Sequence, residues 1–230
     1  MSVLLFPAAP TMTLPVKGGG RYPVRRIFCV GRNYVEHAKE MGGEVDREAP
    51  FYFTKSACHL AQSGATIAYP PGTADFHHEM ELVVALGAEA DHLPAARAME
   101  AVFGYAAGLD MTRRDLQGAA KDKRRPWDTG KDFENSAVIA GIVRADAFGA
   151  PGDQHIRLSV NGAERQSAHL SDMVWSVPEI IAHLSTLYRL GPGDLIMTGT
   201  PAGVGAVVAG DRIDGQIDGL PPVTLLIAGT

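Results

Sequence analysis

The sequence predicts an α+β protein whose strands form a mostly antiparallel or mixed sheet. Three observations carry this. Short strand-like segments outnumber helical ones. The two kinds do not alternate in regular βαβ order. Glycine (26) and proline (15) are spread through all 230 residues, so they punctuate many short elements and isolate no linker.

The elements follow in order. The opening to about Arg21 is rich in proline and glycine and reads as an irregular arm (residues 1–21), leaving 22–230 as one domain. "VRRIFCVG" reads as a strand. "NYVEHAKEMGG" reads as a short helix with Asn33 as N-cap, Glu36 at the third helical position and Gly42-Gly43 as the stop. "PFYFTK" and "ATIAYP" are strand-like, and "HHEMELVVALG" is a longer strand. Pro94 opens a helix over "LPAARAMEAV". "FGYAAGLDM" reads as strand or helix, and its two glycines and small residues suit a tightly packed strand. "TRRDLQGAAKDKRR" reads as a helix capped by Thr112 with Asp115. Asn161-Gly162 between alternating residues predicts a hairpin with a type I′ turn. Ser176 caps a helix whose apolar stripe is Ile180, Ile181, Leu184, Leu187 and Tyr188. "DLIMTGTP", "DRIDGQI" and "VTLLIAG" close the chain as strands.

A net charge of −5 gives no electrostatic reason to expect nucleic acid or an anionic membrane as partner. No apolar run is long enough to span a bilayer, and "MSVLLFPAAP" lacks the basic start of a signal peptide. Cys29 and Cys58 form no metal-ligand spacing or disulfide framework, so a reducing cytoplasm is the expected compartment.

The chemistry begins at Glu79 and Glu81. In a strand, residues two apart share a face, so the two carboxylates pair; in a helix they diverge by about 200°. Paired like charges beside a core repel and resist desolvation, and a divalent cation answers both problems. On spacing alone a solvated edge strand serves as well. Asp110, before the next helix, supplies a third carboxylate. Three such groups would make an all-oxygen site suited to Mg²⁺ or Mn²⁺. His77 and His78 read as supporting residues. The run "KDKRR" (121–125) reads as a solvated helix end.

The ordered segments "VGRNYVEHAKEMG", "FHHEMELVVALG", "GYAAGLDMTRRDLQ", "RPWDTGKDF", "VNGAERQ", "SDMVWSVPEIIAHLS" and "GDLIMTGTPAGVG" resemble the fumarylacetoacetate hydrolase family from about Ile27 onward. The resemblance implies a mixed β-roll, a homodimer, and a divalent cation on Glu79, Glu81 and Asp110. It also implies a water-activating pair, His37 and Glu40; three apart on a helix, these would be neighbours. Arg32, Arg114 and Thr200 match substrate-binding positions, and Gln117 and Lys131 match catalytic ones, with Lys131 expected in a loop. Where relatives read Phe-x-Lys-Pro, this chain carries Ser56 after Lys55. The implied reaction is hydrolysis of a carbon–carbon bond in 2,4-diketo acids, with fumarylpyruvate of aromatic (gentisate-type) catabolism as the expected substrate. Oxaloacetate decarboxylation and isomerisation of a hydroxy-dienoate are competing readings, as is a non-catalytic metal- or ligand-binding protein. "GTPAGVGA" lacks the Gly-Lys-Ser/Thr ending of a phosphate loop, which disfavours nucleotide binding.

Overall fold

The computed structural model describes residues 4–40, 42 and 47–229. Its largest element is an eight-stranded sheet. Along it lie Phe51–Lys55, Arg26–Gly31, Asp194–Met197, Met80–Leu86, Val102–Asp110, Ala137–Ile139 and Leu60–Gln62, with Val143–Arg144 also pairing to Val102–Asp110. Two of its pairings are parallel and the rest antiparallel, so the sheet is mixed.

This sheet is strongly curled. Phe51–Lys55 and Leu60–Gln62 lie at its opposite edges, yet only residues 56–59 join them. Five chain steps reach at most about 18 Å, too short to cross a flat sheet of seven strands about 4.8 Å apart. Residues from six of its strands meet on the inner side, among them Ile27, Cys29, Leu60, Val83, Ala106, Ile139 and Met197.

The Met80–Leu86 strand is buried along its whole length because both faces are covered. Val83 and Ala85 face inward. Met80, Leu82, Val84 and Leu86 face a second core, shared with Leu158, Ile213 and Val223 of a five-stranded sheet and with Ile180, Ile181 and Leu184 of the Val177–Leu187 helix. That helix opens on the expected Ser176, reciprocally bonded with Glu179. Leu187 and Tyr188 fall outside the buried stripe and stay exposed.

Several expectations change. From Thr13 the opening segment is not irregular. Thr13–Pro15 pairs with Arg21–Pro23, and Leu14 and Tyr22 are buried against the sheet. The Tyr22 hydroxyl donates to the Leu86 carbonyl at 2.6 Å and accepts from Gly193 N–H at 3.0 Å. "LPAARAMEAV" forms a 3₁₀ turn over Ala95–Ala101, with Pro94 at its start. Asn33 caps nothing. Its amide donates to the Thr198 and Trp175 carbonyls and accepts from Trp175 N–H, stitching the following Val35–Glu40 helix to the body. Gly42 takes a left-handed φ of 69° after that helix, as a stop should; Gly43 lies outside the described residues. Thr112 belongs to a short strand, and Asp115 accepts from Thr73 and Ala74. Lys131 ends a helical turn, Asp128–Lys131. The hairpin turn is as expected, with positive φ at both Asn161 and Gly162.

One buried acid ties the ends of this architecture together. Asp194 accepts from both Arg25 and Arg26 at 2.6–3.0 Å and from Gly191 N–H at 3.0 Å. Burial works against its charge, but the arginines outweigh burial and hold the carboxyl below the usual range. Its contribution to stability is therefore present above about pH 4 and fades as pH falls through its folded value. Asp194→Ala is expected to cost about 2 kcal/mol, since both arginines stay partly in solvent, and to lower Tm by about 4–8 °C. Thermal melts of the two proteins at pH 7 and below pH 4 check this: the gap should shrink in acid.

Candidate active site

The predicted long strand is divided at Glu79. Phe76–His78 leaves the large sheet and pairs instead with Thr112–Arg113 and Gly205–Ala206. At the break, Met80 N–H donates to the Gln166 side chain at 3.0 Å. Asp110 N–H still donates to the Glu79 carbonyl, so Glu79 faces Asp110 across the strand pair. Glu81 lies opposite Gly108, where an added Cβ would come within 2.6 Å of Val83. The packing of small residues on Val102–Asp110 thus brings the third carboxylate close.

Glu79, Glu81 and Asp110 are all buried, and each offers an oxygen within 4.8 Å of the others. Cations surround them. Lys131 Nζ lies 2.8 Å from Glu79, 2.7 Å from Asp110 and 2.7 Å from the Thr112 hydroxyl. Arg114 pairs with Glu79. Lys55 Nζ sits 2.8 Å from Asp110 Oδ1 and donates to the Met111 and Lys131 carbonyls. Burial alone would neutralise Glu79, but Lys131 and Arg114 outweigh it and hold the carboxyl well below the usual range. Glu81 has no such partner. Burial, then the charges of Asp110 and Glu79, push it well above that range, and Gly199 N–H at 2.8 Å and the Lys131 charge only partly oppose them. The Lys131 ammonium is penalised by burial, yet Asp110 and Glu79 raise its pKa.

This donor set fits a hard divalent cation. It is all oxygen, and Asp110 Oδ1 is buried without a hydrogen bond of good geometry. Glu81, raised by burial and by its acidic neighbours, is the carboxyl that a nearby cation would most favour in its charged form.

Glu79 and Glu81 line a cavity of about 310 Å³, with Asp110 just behind them; its walls include Arg32, His37, Phe53, Arg114, Gln117, Trp127, Lys131 and Thr200. His37 is buried, with Nδ1 3.2 Å from Glu40. Glu40 in turn accepts from Gly203 N–H at 3.2 Å. Gly203 has φ +95°, and a Cβ there would collide with the Arg165 carbonyl, so only glycine brings this N–H to Glu40. Gln117 is held by its Oε1, which accepts from Arg114 Nη1 at 2.5 Å. Thr200 Oγ1 accepts from Gln166 Nε2 at 2.8 Å. Arg32 stands exposed at the rim with a left-handed φ of 58°.

Every residue expected at the site therefore borders this cavity or touches one that does. Sequence reading missed Gln166, which joins Met80, Thr200, the Pro201 carbonyl and His78. Burial pushes His78 down to about 4, so it serves as a neutral partner. His77 accepts from Arg114 at 3.4 Å and meets Asp75 at 2.7 Å, which orients the arginine. Ser56 has a function that proline would forfeit. Its N–H and hydroxyl both donate to Asp132, at 2.8 and 2.7 Å, tying the Lys55 segment to the residue after Lys131.

A largely apolar cavity with a few convergent charged groups and buried carboxylates, in a curled mixed sheet, is the build of an enzyme for a small molecule that a divalent cation could assist. Residues 26–227 match the family model described as fumarylacetoacetate (FAA) hydrolase C-terminal. A fumarylpyruvate hydrolase of a Ralstonia species is 54% identical over 190 residues, covering 81% of this chain and 98% of that one. A mitochondrial oxaloacetate tautomerase of Rattus norvegicus is 42% identical, covering 85% and 88%. The crystal structure of a Pseudomonas aeruginosa fumarylpyruvate hydrolase in complex with Mn²⁺ and pyruvate superposes with a TM-score of 0.95 at 43% identity, over 99% of this chain and all of that one. The chain belongs to the fumarylacetoacetate hydrolase family, with the rolled α+β fold of that family. Among the described residues no helix is long and apolar enough to cross a membrane.

Because burial, Asp110 and Glu79 raise the Glu81 carboxyl, Mn²⁺ binding is expected to tighten as pH rises and to release protons. Calorimetry in buffers of different ionisation enthalpy measures that release. Glu81→Gln should abolish tight binding and leave the fold intact; unaltered Mn²⁺ affinity in that variant removes Glu81 from the ligand set.

Proposed function

We propose that this protein hydrolyses acylpyruvates, and that fumarylpyruvate, split into fumarate and pyruvate, is its substrate. The observation that carries the reading is that His37, braced by Glu40, opens on the same cavity as the carboxylate cluster. The relatives named above support the substrate class. A homodimer in the cytoplasm is part of the same proposal, resting on the family match.

Glu79, Glu81 and Asp110 would hold the cation, Mg²⁺ or Mn²⁺, which supplies positive charge at the pyruvyl end, where the leaving group becomes negative. Arg114, locked by His77, Gln117 and Glu79, and the Thr200 hydroxyl, set by Gln166, orient that end of the substrate. Glu40 accepts from His37 Nδ1–H, which leaves Nε2 to take a proton from water. The water oxygen bonds to C4. The oxyanion on C4 receives a hydrogen bond from Gln117 Nε2, the end of the amide that Arg114 leaves available. Lys131 is less suited to that task, because its three hydrogens point to Glu79, Asp110 and Thr112. As the C4 carbonyl re-forms, the C3–C4 electron pair departs to C3. The resulting pyruvate enolate takes up a proton at C3, and His37 carries the one just removed from water.

A second reading, tautomerisation of oxaloacetate, is favoured by relatives of that name at 39–42% identity. It needs proton movement at C3 but no attack by water. His37→Ala is expected to lower kcat/KM for fumarylpyruvate by about 10²–10⁴-fold while Mn²⁺ and pyruvate still bind by calorimetry. Full hydrolysis by that variant removes His37 from the role of base. A screen of fumarylpyruvate, acetylpyruvate and oxaloacetate, with Mg²⁺, Mn²⁺ or chelator, separates the two readings.

A further inference from the structure

The Arg114–Asp122 helix runs along the cavity, and five of its residues line the wall: Arg114, Gln117, Gly118 and Lys121 in one stripe, and Asp122 at its end. The stripe's spacing of three, one and three keeps it on one helical face. The stripe is graded. Gln117 is buried, Arg114 and Gly118 are partly buried, and Lys121 is exposed in the last turn. The carboxylate cluster touches the first member, through Arg114 and Glu79. The helix is thus a wall leading from the buried carboxylates outward, and its last turn brings the Lys121 cation to the cavity beside Asp122.

We propose that Lys121 reads the distal carboxylate of the substrate, and that the site selects acylpyruvates whose acyl group ends in a second carboxylate. This rests on the acylpyruvate hydrolase reading. Arg114 and Lys121 are seven residues apart, a rise of about 10 Å at about 1.5 Å per residue. Six carbon–carbon bonds of about 1.5 Å separate the end carbons of a seven-carbon diketo diacid, and in a zigzag they span roughly 7–8 Å. Adding the carboxylate oxygens brings the two lengths together, so a molecule bound at its pyruvyl end beside Arg114 delivers its far end to Lys121.

The wall between suits what must pass. Gly118 presents no side chain, and a Cβ there would meet nothing within 4 Å, so the acyl chain has room beside the helix. Trp127, packed 4.8 Å from Phe51 and 5.9 Å from Phe53, adds a flat apolar wall for an unsaturated chain. Arg32 also lines the cavity and adds positive charge to it; Asp122, next to Lys121, limits the attraction. Lys121 is the first residue of the basic run 121–125. The helix ends at Asp122, so the structure separates Lys121 from the cations that follow.

The test compares fumarylpyruvate with acetylpyruvate, which has no distal carboxylate, in the Mn²⁺-loaded wild type, Lys121→Met and Lys121→Arg. The expected result is a rise of about tenfold in the ratio of KM for fumarylpyruvate to KM for acetylpyruvate in Lys121→Met, with kcat for fumarylpyruvate little changed. Lys121→Arg should restore most of the ratio. In the wild type, KM for fumarylpyruvate should also climb more steeply with ionic strength than KM for acetylpyruvate. An unchanged ratio in Lys121→Met, with both substrates still cleaved, overturns this inference alone. Failure of the wild type to cleave either substrate overturns the hydrolase reading and this inference with it.

Discussion

Three carboxylates within 4.8 Å of one another, nearly shut off from solvent, repel strongly. Two like charges about 4 Å apart interact by about 4 kcal/mol at an effective dielectric near 20. The fold around Glu79, Glu81 and Asp110 reads as a set of devices for delivering counter-charge. Lys131 comes on a helical turn that packs against the Arg114–Asp122 helix; Gly130 permits this, because a Cβ there would lie 2.8–2.9 Å from Gln117. Lys55 comes from the sheet's edge and reaches inward to Asp110 and the Lys131 carbonyl. Formally, Lys55, Lys131 and Arg114 balance the three acids. Among the described residues Glu81 is the one acid of the three without a lysine or arginine within ion-pair distance, and burial together with Asp110 and Glu79 raises its carboxyl.

The same requirement explains the curl of the sheet. A flat sheet would hold Lys55 and Asp110 several strands apart. Rolling it brings edge and centre together over one inner core, and the four residues between the edge strands enforce the roll. Ser56 and His59, both within that link, bond to Asp132, which follows Lys131. The connection that closes the sheet is therefore also the connection that fixes the two lysines relative to each other. The chain's departure at Ser56 adds two hydrogen bonds where a proline could make neither.

How far the site was legible varies with how local each signal is. The i, i+3 relation of His37 and Glu40 is a property of one helix, and that pair forms as expected; Arg114 and Gln117 have the same spacing and also bond. Asn33 was misread because its sequence position suits a cap, whereas its amide is used by Trp175 and Thr198, far away in the chain. Gln166 was hidden by a register shift. A two-residue turn at Asn161-Gly162 would pair Leu158 with Arg165, but a bulge between Leu158 and Ser159 pairs it with Gln166 and turns that side chain inward. The basic run at 121–125 looked uniform because composition does not show where a helix stops.

The sequence alone determined what periodicity and local chemistry can encode: an α+β chain, a strand that puts Glu79 and Glu81 on one face, a type I′ hairpin, a capped Val177–Leu187 helix, and the residue types for an oxygen-ligand site. The tertiary structure decided what depends on long-range contact. It divided the carboxylate strand at Glu79, where the chain changes partner sheets. It set Lys55 and Lys131 among the acids and used Gln166 to hold Thr200. It placed Lys121 on the cavity wall. The physical reason is that one face of a strand or helix is specified by neighbours in sequence. Which charges share a buried space is specified by how the whole sheet closes, and in this protein that closure brings together residues more than a hundred positions apart.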